Sequence, residues 1–334
     1  MTRLTRLRSL ASLVGHLRTV APLARDVARG VATLQGVWAR WPSTGRVPSG
    51  SAATDDLMHR AVEAERTGRR EDAAALYRQV LTRERAHVGA LRGLRDLAVS
   101  AEDWHQALDV QQRLLAAVPW ADRDAESRWL AIVHYERGRT ELTAGRVPAA
   151  LIELRHALRA DSRFIPAALT LGDAHETAGD VREAARVWER AAEADPSVPV
   201  LARLERVYRR EGRPSRMIAL YRNASERARD DLAVAIALGR VYLELEMLDE
   251  AADQFEKLEV RAPTLPVVHA FLGVVFERRG DTREAFDEYR KALRLGDVFT
   301  WPHRCRHCER VAPTWTDRCP DCRRWNTLAP VKGR

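Results

Sequence analysis

The chain has 334 residues, a formal charge of +8 and only six Phe and six Tyr. It is rich in Ala, Leu, Arg and Glu. That composition points to helices and excludes an aromatic-rich β-sandwich. The charge is uneven: residues 1–50 carry eight Arg against one Asp, residues 297–334 carry eight basic against four acidic residues, and the middle is mildly acidic.

Residues 1–41 read as a basic amphipathic helical segment. Leu4, Leu7, Leu10, Val14, Leu17, Trp38 and Trp41 recur mostly at three- and four-residue spacing, with Arg18 and Arg25 among the basic residues on other faces. Such a stripe suits a membrane-surface anchor or a docking arm for a protein partner. No apolar run approaches the ~20 residues of a spanning helix, and the early apolar stretch is too broken by charge for a secretory signal. The expected location is therefore cytoplasmic, peripheral to a membrane. Residues 42–53, rich in Pro, Ser and Gly, read as a flexible linker.

Residues 54–299 repeat with a period of 34. Gly172, Gly239 and Gly273 share one position, and Gly179, Glu246 and Gly280 follow seven residues later. Ala184, Ala251 and Ala285 come next, then the large residues Trp188, Phe255 and Tyr289. Pro196 and Pro263 end two of the units. This is the tetratricopeptide pattern of paired antiparallel helices, A and B. The small residues let the helices approach, the aromatic is expected to fill the space between one pair and the next, and proline stops helix B. Seven units are predicted, at 54–87, 88–121, 131–164, 165–198, 199–231, 232–265 and 266–299. The second has Arg95 at the small position, the fifth is one residue short, and the insertion 122–130 is expected to lengthen the following helix. The predicted fold is all-α, a superhelical solenoid whose concave wall is lined by A helices.

On that wall the register places Tyr135, Arg139, Asp173, Arg206, Arg209, Arg210 and Arg240, along with Arg66, Arg92, Glu176, Glu244 and Arg278. Arg forms bidentate pairs with carboxylates. The arginines therefore suit an acidic client segment, or they pair with Glu and Asp of neighbouring helices.

Residues 300–334 hold all four cysteines of the chain, Cys305, Cys308, Cys319 and Cys322. Two CxxC pairs ten residues apart can surround one ion tetrahedrally, and thiolates select Zn²⁺ or iron. Four cysteines complete the shell, which leaves no open position for a substrate and makes His303 and His307 superfluous. Trp315 and Trp325 are expected to form a small core over the metal, and Trp301 to dock the module on the last helix. No P-loop, dinucleotide fingerprint, HExxH or nucleophile elbow is present, so an enzyme is not expected.

A tetratricopeptide array followed by CxxC…W…CPxCxxW resembles the lipopolysaccharide assembly protein B family over residues 51–334. Cys305, Cys308, Trp315, Cys319, Pro320, Cys322 and Trp325 carry the match. The resemblance implies a rubredoxin-like metal module and a cytoplasm-facing inner-membrane adaptor. It also implies two partners: a membrane protease, FtsH, and a lipid A synthesis enzyme, the LpxC deacetylase, whose degradation the adaptor promotes. The chain departs from the family in lacking an initial spanning helix and in carrying Glu309 where a Gly usually follows the second cysteine. Glu309 is expected to distort the first knuckle, because glycine tolerates φ > 0 more cheaply. Two other readings stay open. One is a nucleic-acid-binding zinc ribbon, since Arg304, Arg306, Arg310, Arg318, Arg323 and Arg324 surround the module, although the net-acidic array disfavours it. The other is electron transfer through an iron centre.

Overall fold

A computed structural model describes residues 52–296 and 302–331. Among these residues there are fourteen α-helices, a short 3₁₀ turn and a three-stranded sheet. The helices pair as A and B: α1 (Ala52–Arg66) with α2 (Arg70–Arg83), α3 (Val88–Ser100) with α4 (Trp104–Ala117), and α5 (Arg123–Thr143) with α6 (Val147–Ala160). Then come α7 (Ile165–Thr177) with α8 (Val181–Ala194), α9 (Val198–Arg210) with α10 (Pro214–Arg227), α11 (Leu232–Glu244) with α12 (Leu248–Arg261), and α13 (Pro266–Arg279) with α14 (Thr282–Leu295). The N-terminal stretch containing Leu4 to Trp41, and Trp301, lie outside the described residues.

Seven left-handed residues mark the A-to-B turns: Gly68, Glu102, Gly145, Gly179, Gly212, Glu246 and Gly280. They recur every 34 positions, except for a step of 43 before Gly145 and of 33 before Gly212. The long step is the nine-residue insertion, and the short one is the residue missing from the fifth unit. The insertion becomes helix. A 3₁₀ turn at Trp120–Asp122 leads into α5, which at 21 residues is the longest helix described. Prolines help to start helices as well as to stop them, because the first helical position needs no N–H donor; α6, α7, α9, α10 and α13 each have Pro in the first two positions.

The repeat core is built on a close approach. A Cβ added to Gly172 would lie 2.1 Å from the Trp188 ring, and one on Gly239 would lie 2.6 Å from the Phe255 ring. Each aromatic thus lies against the glycine of its own A helix rather than only between pairs. Phe255 also reaches the next repeat, stacking on Phe271 with ring centroids 4.9 Å apart. Ala184 and Ala251 are fully buried where the helices approach.

Two repeats break this rule in the same way. Sixteen residues separate each glycine from its aromatic, and the same spacing joins Arg95 to Gln111 and Glu205 to Tyr221. Both are buried polar pairs: Arg95 donates to Gln111 at 3.4 Å, and the Tyr221 hydroxyl donates to Glu205 at 2.6 Å. Each A helix from α5 to α11 also contacts the next A helix along, which makes an inner wall.

The C-terminal sheet has the order β2-β1-β3, with β1 (His303–Cys305) antiparallel to both β2 (Val311–Ala312) and β3 (Leu328–Pro330). It lies in the same compact unit as α2 to α14, Met58–Arg334.

Candidate metal centre and the wall it docks on

The two CxxC segments form matched knuckles. Cys305 N–H donates to the Arg310 carbonyl at 2.9 Å, and Glu309 N–H donates to the Cys305 carbonyl at 3.0 Å. The second knuckle repeats both bonds, with Cys319 N–H on the Arg324 carbonyl at 2.8 Å and Arg323 N–H on the Cys319 carbonyl at 3.0 Å. Glu309 and Arg323 both have φ of +60°. The first knuckle is therefore not distorted relative to the second. Glu309 adopts the left-handed geometry that a glycine would take there, at some conformational cost.

The four sulfurs all lie within 4.8 Å of one another. Cys305 Sγ and Cys322 Sγ are 3.7 Å apart, as are Cys308 Sγ and Cys319 Sγ. A tetrahedron with metal–sulfur bonds of about 2.3 Å has edges of about 3.8 Å, so the donor set fits one ion. The electrostatics agree. Burial opposes ionisation of Cys305, yet the Thr327 hydroxyl and the backbone N–H groups of Cys308 and His307 bring its thiol down to about 6. Desolvation and the three neighbouring sulfurs push Cys322 up to about 12. Sulfurs this close ionise together only when a cation shares their charge. Neither His303 nor His307 belongs to the cluster.

The aromatic residues divide the work differently from the expectation of a core over the metal. Trp315 does pack against the cysteine cluster. Trp325 instead joins the helical core. Its indole N–H donates to Glu136 of α5 at 2.5 Å, its ring meets Trp129 edge-on with centroids 6.3 Å apart, and the Arg318 guanidinium covers it at 4.1 Å. Asp317 accepts from the Tyr135 hydroxyl at 2.8 Å and from Arg139 at 3.3 Å. The described module thus docks on the third repeat. Trp129 and Glu126 both fall in the nine-residue insertion. Arg95 stacks on Trp129 at 4.3 Å and pairs with Glu126 at 2.9 Å, so the buried arginine of the second repeat braces the helix on which the module rests. Burial raises the Glu136 pKa even though the Trp325 N–H and Arg139 act to lower it.

Beyond this contact the inner wall is a ladder of ion pairs. Arg203 grips Asp173 with two bonds of 2.9 and 3.0 Å. Arg206 meets Glu176 at 2.6 Å, and Arg210 meets the same carboxylate. Arg209 contacts Glu205 at 2.7 Å and Glu244 at 2.5 Å, and Arg240 contacts them at 2.6 and 2.7 Å. Burial alone would raise the Glu205 pKa, but hydrogen bonds from Arg240, Tyr221 and Arg209 overcome it and hold the carboxyl at about 2. Glu205 was not among the residues expected on this wall. Counting 33 rather than 34 positions from Gly172 would have found it.

Of the residues assigned to a client from sequence, Tyr135 and Arg139 meet the module, and Asp173, Arg206, Arg209, Arg210 and Arg240 sit in the ladder. A cleft of about 430 Å³ opens between β1 and β3 of the module and the N-terminal ends of α7, α9 and α11. Ile165, Val198, Ile236, Trp315 and Leu328 line it, with Arg240 and Arg306 among its polar residues.

Fold and site together define a tetratricopeptide-repeat protein with a C-terminal four-cysteine metal-binding cluster. Tetratricopeptide repeat family models match residues 169–206 and 200–235. Lipopolysaccharide assembly protein B of Escherichia coli (strain K12) is 22% identical over 267 residues, covering 78% of this chain and 67% of that protein; the protein of Escherichia coli O157:H7 aligns equally. Among solved structures, the chain is similar to YrrB, a TPR protein with an unusual peptide-binding site. That match has 20% identity and a TM-score of 0.36 and covers 52% of this chain and 90% of YrrB. MamA matches with 21% identity and a TM-score of 0.37, covering 47% of this chain and 93% of MamA.

Proposed function

We propose that the protein is a non-enzymatic adaptor that holds a client protein on its A-helix wall. The observation that carries this reading is the charged ladder from Asp173 to Glu244, two ion-pair networks that share α9 and run beside the docked module over three successive A helices. A wall of this kind exchanges its internal ion pairs for pairs with a client. Tyr135 and Arg139 mark the end of the wall that the module covers, and Arg206, Arg209, Arg210 and Arg240 the stretch left to the client.

The metal is one Zn²⁺ or Fe ion held by Cys305, Cys308, Cys319 and Cys322. With its shell filled by thiolates it acts structurally, keeping Trp325 and Asp317 in position. The similarity to lipopolysaccharide assembly protein B supports a place on the cytoplasmic side of the inner membrane, with a membrane protease and the LpxC deacetylase as partners. No helix among the described residues is long and apolar enough to cross a membrane. Membrane contact is therefore assigned to the basic N-terminal stretch, residues 1–41.

The test is client capture in the native host. Proteins recovered with the full chain are compared with those recovered with a chain in which Arg206, Arg209 and Arg210 are reversed to Glu, with thermal melting as the folding control. Specific partners should be lost with the reversed wall while the melting curve keeps its shape. Identical recovery from both chains would remove the wall from client recognition. Recovery of no specific partner from either would remove the adaptor reading itself.

A further inference from the structure

The ladder neutralises the wall, whereas a group of arginines on another face has no carboxylate of its own. A cavity of about 440 Å³ lies between α6 and α8, over α7. Its floor is apolar: Leu158, Ala168, Leu171, Val187 and Ala191. Arg155 and Arg159 border it from α6, and Arg190 borders it from α8.

Among the described residues, none of these three guanidiniums makes an ion pair. Arg155 Nη2 lies 3.4 Å from Nε2 of the buried His175, and Arg190 donates to the Arg186 backbone carbonyl at 3.3 Å. Arg159 stands one helical turn beyond Arg155, a spacing at which like charges repel. The one carboxylate lining the cavity, Glu183, is already paired with Arg186. Asp180, the other acidic neighbour, faces the far nitrogen of His175 at 3.9 Å. The cavity is thus net cationic and apolar-floored. A comparable groove on α10 and α12 differs, because Glu226 and Asp230 line it beside Arg229, Lys257 and Arg261.

We infer that this cavity is a second recognition site, one that takes an acidic protein segment presenting an apolar side chain. The apolar residue would rest on Leu158, Leu171 and Val187. Flanking carboxylates would pair with Arg155, Arg159 and Arg190, whose planar forks match carboxylates. Charge complementarity selects this occupant, and the strongly basic residues 1–50 of the same chain have the wrong sign to fill the site. The inference deepens the adaptor reading by giving it an anchor outside the ladder.

The probe is a fluorescein-labelled peptide of alternating Glu and Leu, titrated by fluorescence anisotropy into the full-length protein. Three control probes accompany it: one with Lys for Glu, one with Ser for Leu, and a single-stranded DNA oligonucleotide. Saturable binding of the Glu/Leu peptide is expected. It should weaken at least tenfold in Arg155→Glu/Arg190→Glu and with rising salt. A photocrosslinker installed in place of Ser162, which also lines the cavity, should label the same peptide without altering the arginines. Absence of saturable binding overturns the inference. So does binding that survives the Arg155/Arg190 reversal, or equal binding of the Ser-substituted peptide or the oligonucleotide. Loss only on reversal of the wall arginines would return acidic recognition to the ladder, leaving the adaptor reading intact and this site refuted.

Discussion

The helical array and the cysteine module reach order by opposite means. In the array, the fourth, sixth and seventh repeats supply a glycine, an alanine and an aromatic at fixed spacing, and Trp188, Tyr221 and Phe255 are completely buried without any ion. In the module, fewer than forty residues enclose a core of Cys305, Ala312, Cys319 and Leu328. A core so small does not normally hold a fold by itself. One region is held together by repetition, the other is built around four sulfurs spaced to share one cation and leans on the wall.

Removing the cation separates the two most sharply. Zinc in small cysteine sites contributes roughly 10–16 kcal/mol of apparent binding free energy that is also folding free energy. Chelation of the reduced protein, or Cys319→Ser with Cys322→Ser, should abolish the module and release Trp325 from Glu136. Tryptophan fluorescence should change strongly while far-UV circular dichroism keeps nearly all of its helical signal. Loss of helix in step with metal would mean that the array depends on the ion too.

The converse perturbation is Trp188→Ala. It empties the space beside Gly172 and should cost about 3–5 kcal/mol. Denaturant melts should show the array destabilised while the metal content of the folded protein stays at wild-type level.

A subtler test uses the ladder. The Glu205 carboxyl ordinarily titrates near 4.5 and is held at about 2 in the fold. A depressed acid stabilises the fold fully above its unfolded pKa, and that contribution is lost as pH falls from 4.5 towards 2. Its size is at most roughly 3 kcal/mol. Glu205→Gln should therefore be less stable at neutral pH and should lose the part of the acid sensitivity that the wild type shows in that window. A parallel pH profile in the two proteins would show that the charge of Glu205 is not what matters.

The smallest effect is expected at Glu309, where Gly would relieve a left-handed backbone. Glu309→Gly should raise the stability of the metal-loaded module by about 1 kcal/mol, read as slower metal loss to a chelator.

Much of this comparison could be read in the chain. Helix pairs follow from the 34-residue spacing, because small, small and aromatic positions must meet at fixed turns of two antiparallel helices. Cys305, Cys308, Cys319 and Cys322 identify their own site. Glu205 was missed because one deleted residue moves the small position from 206 to 205, and a buried carboxylate does not look like a glycine. The docking of Trp325 on α5 was not legible either. It depends on where the chain returns in space, and no periodicity encodes a contact 189 residues apart in sequence. The three arginines around the α6–α8 cavity come from two helices, and only the fold brings Arg190 to Arg155 and Arg159.

The nine residues that lengthen α5 bring Glu126 and Trp129 with them, and these meet Arg95 on one side and Trp325 on the other. Insertion, buried arginine and docking tryptophan therefore make one interlocking part. Excising the insertion would restore an even spacing while stranding a guanidinium in the interior and removing the seat of the module. Anyone shortening, grafting or permuting this scaffold would have to move the three pieces as a single cassette.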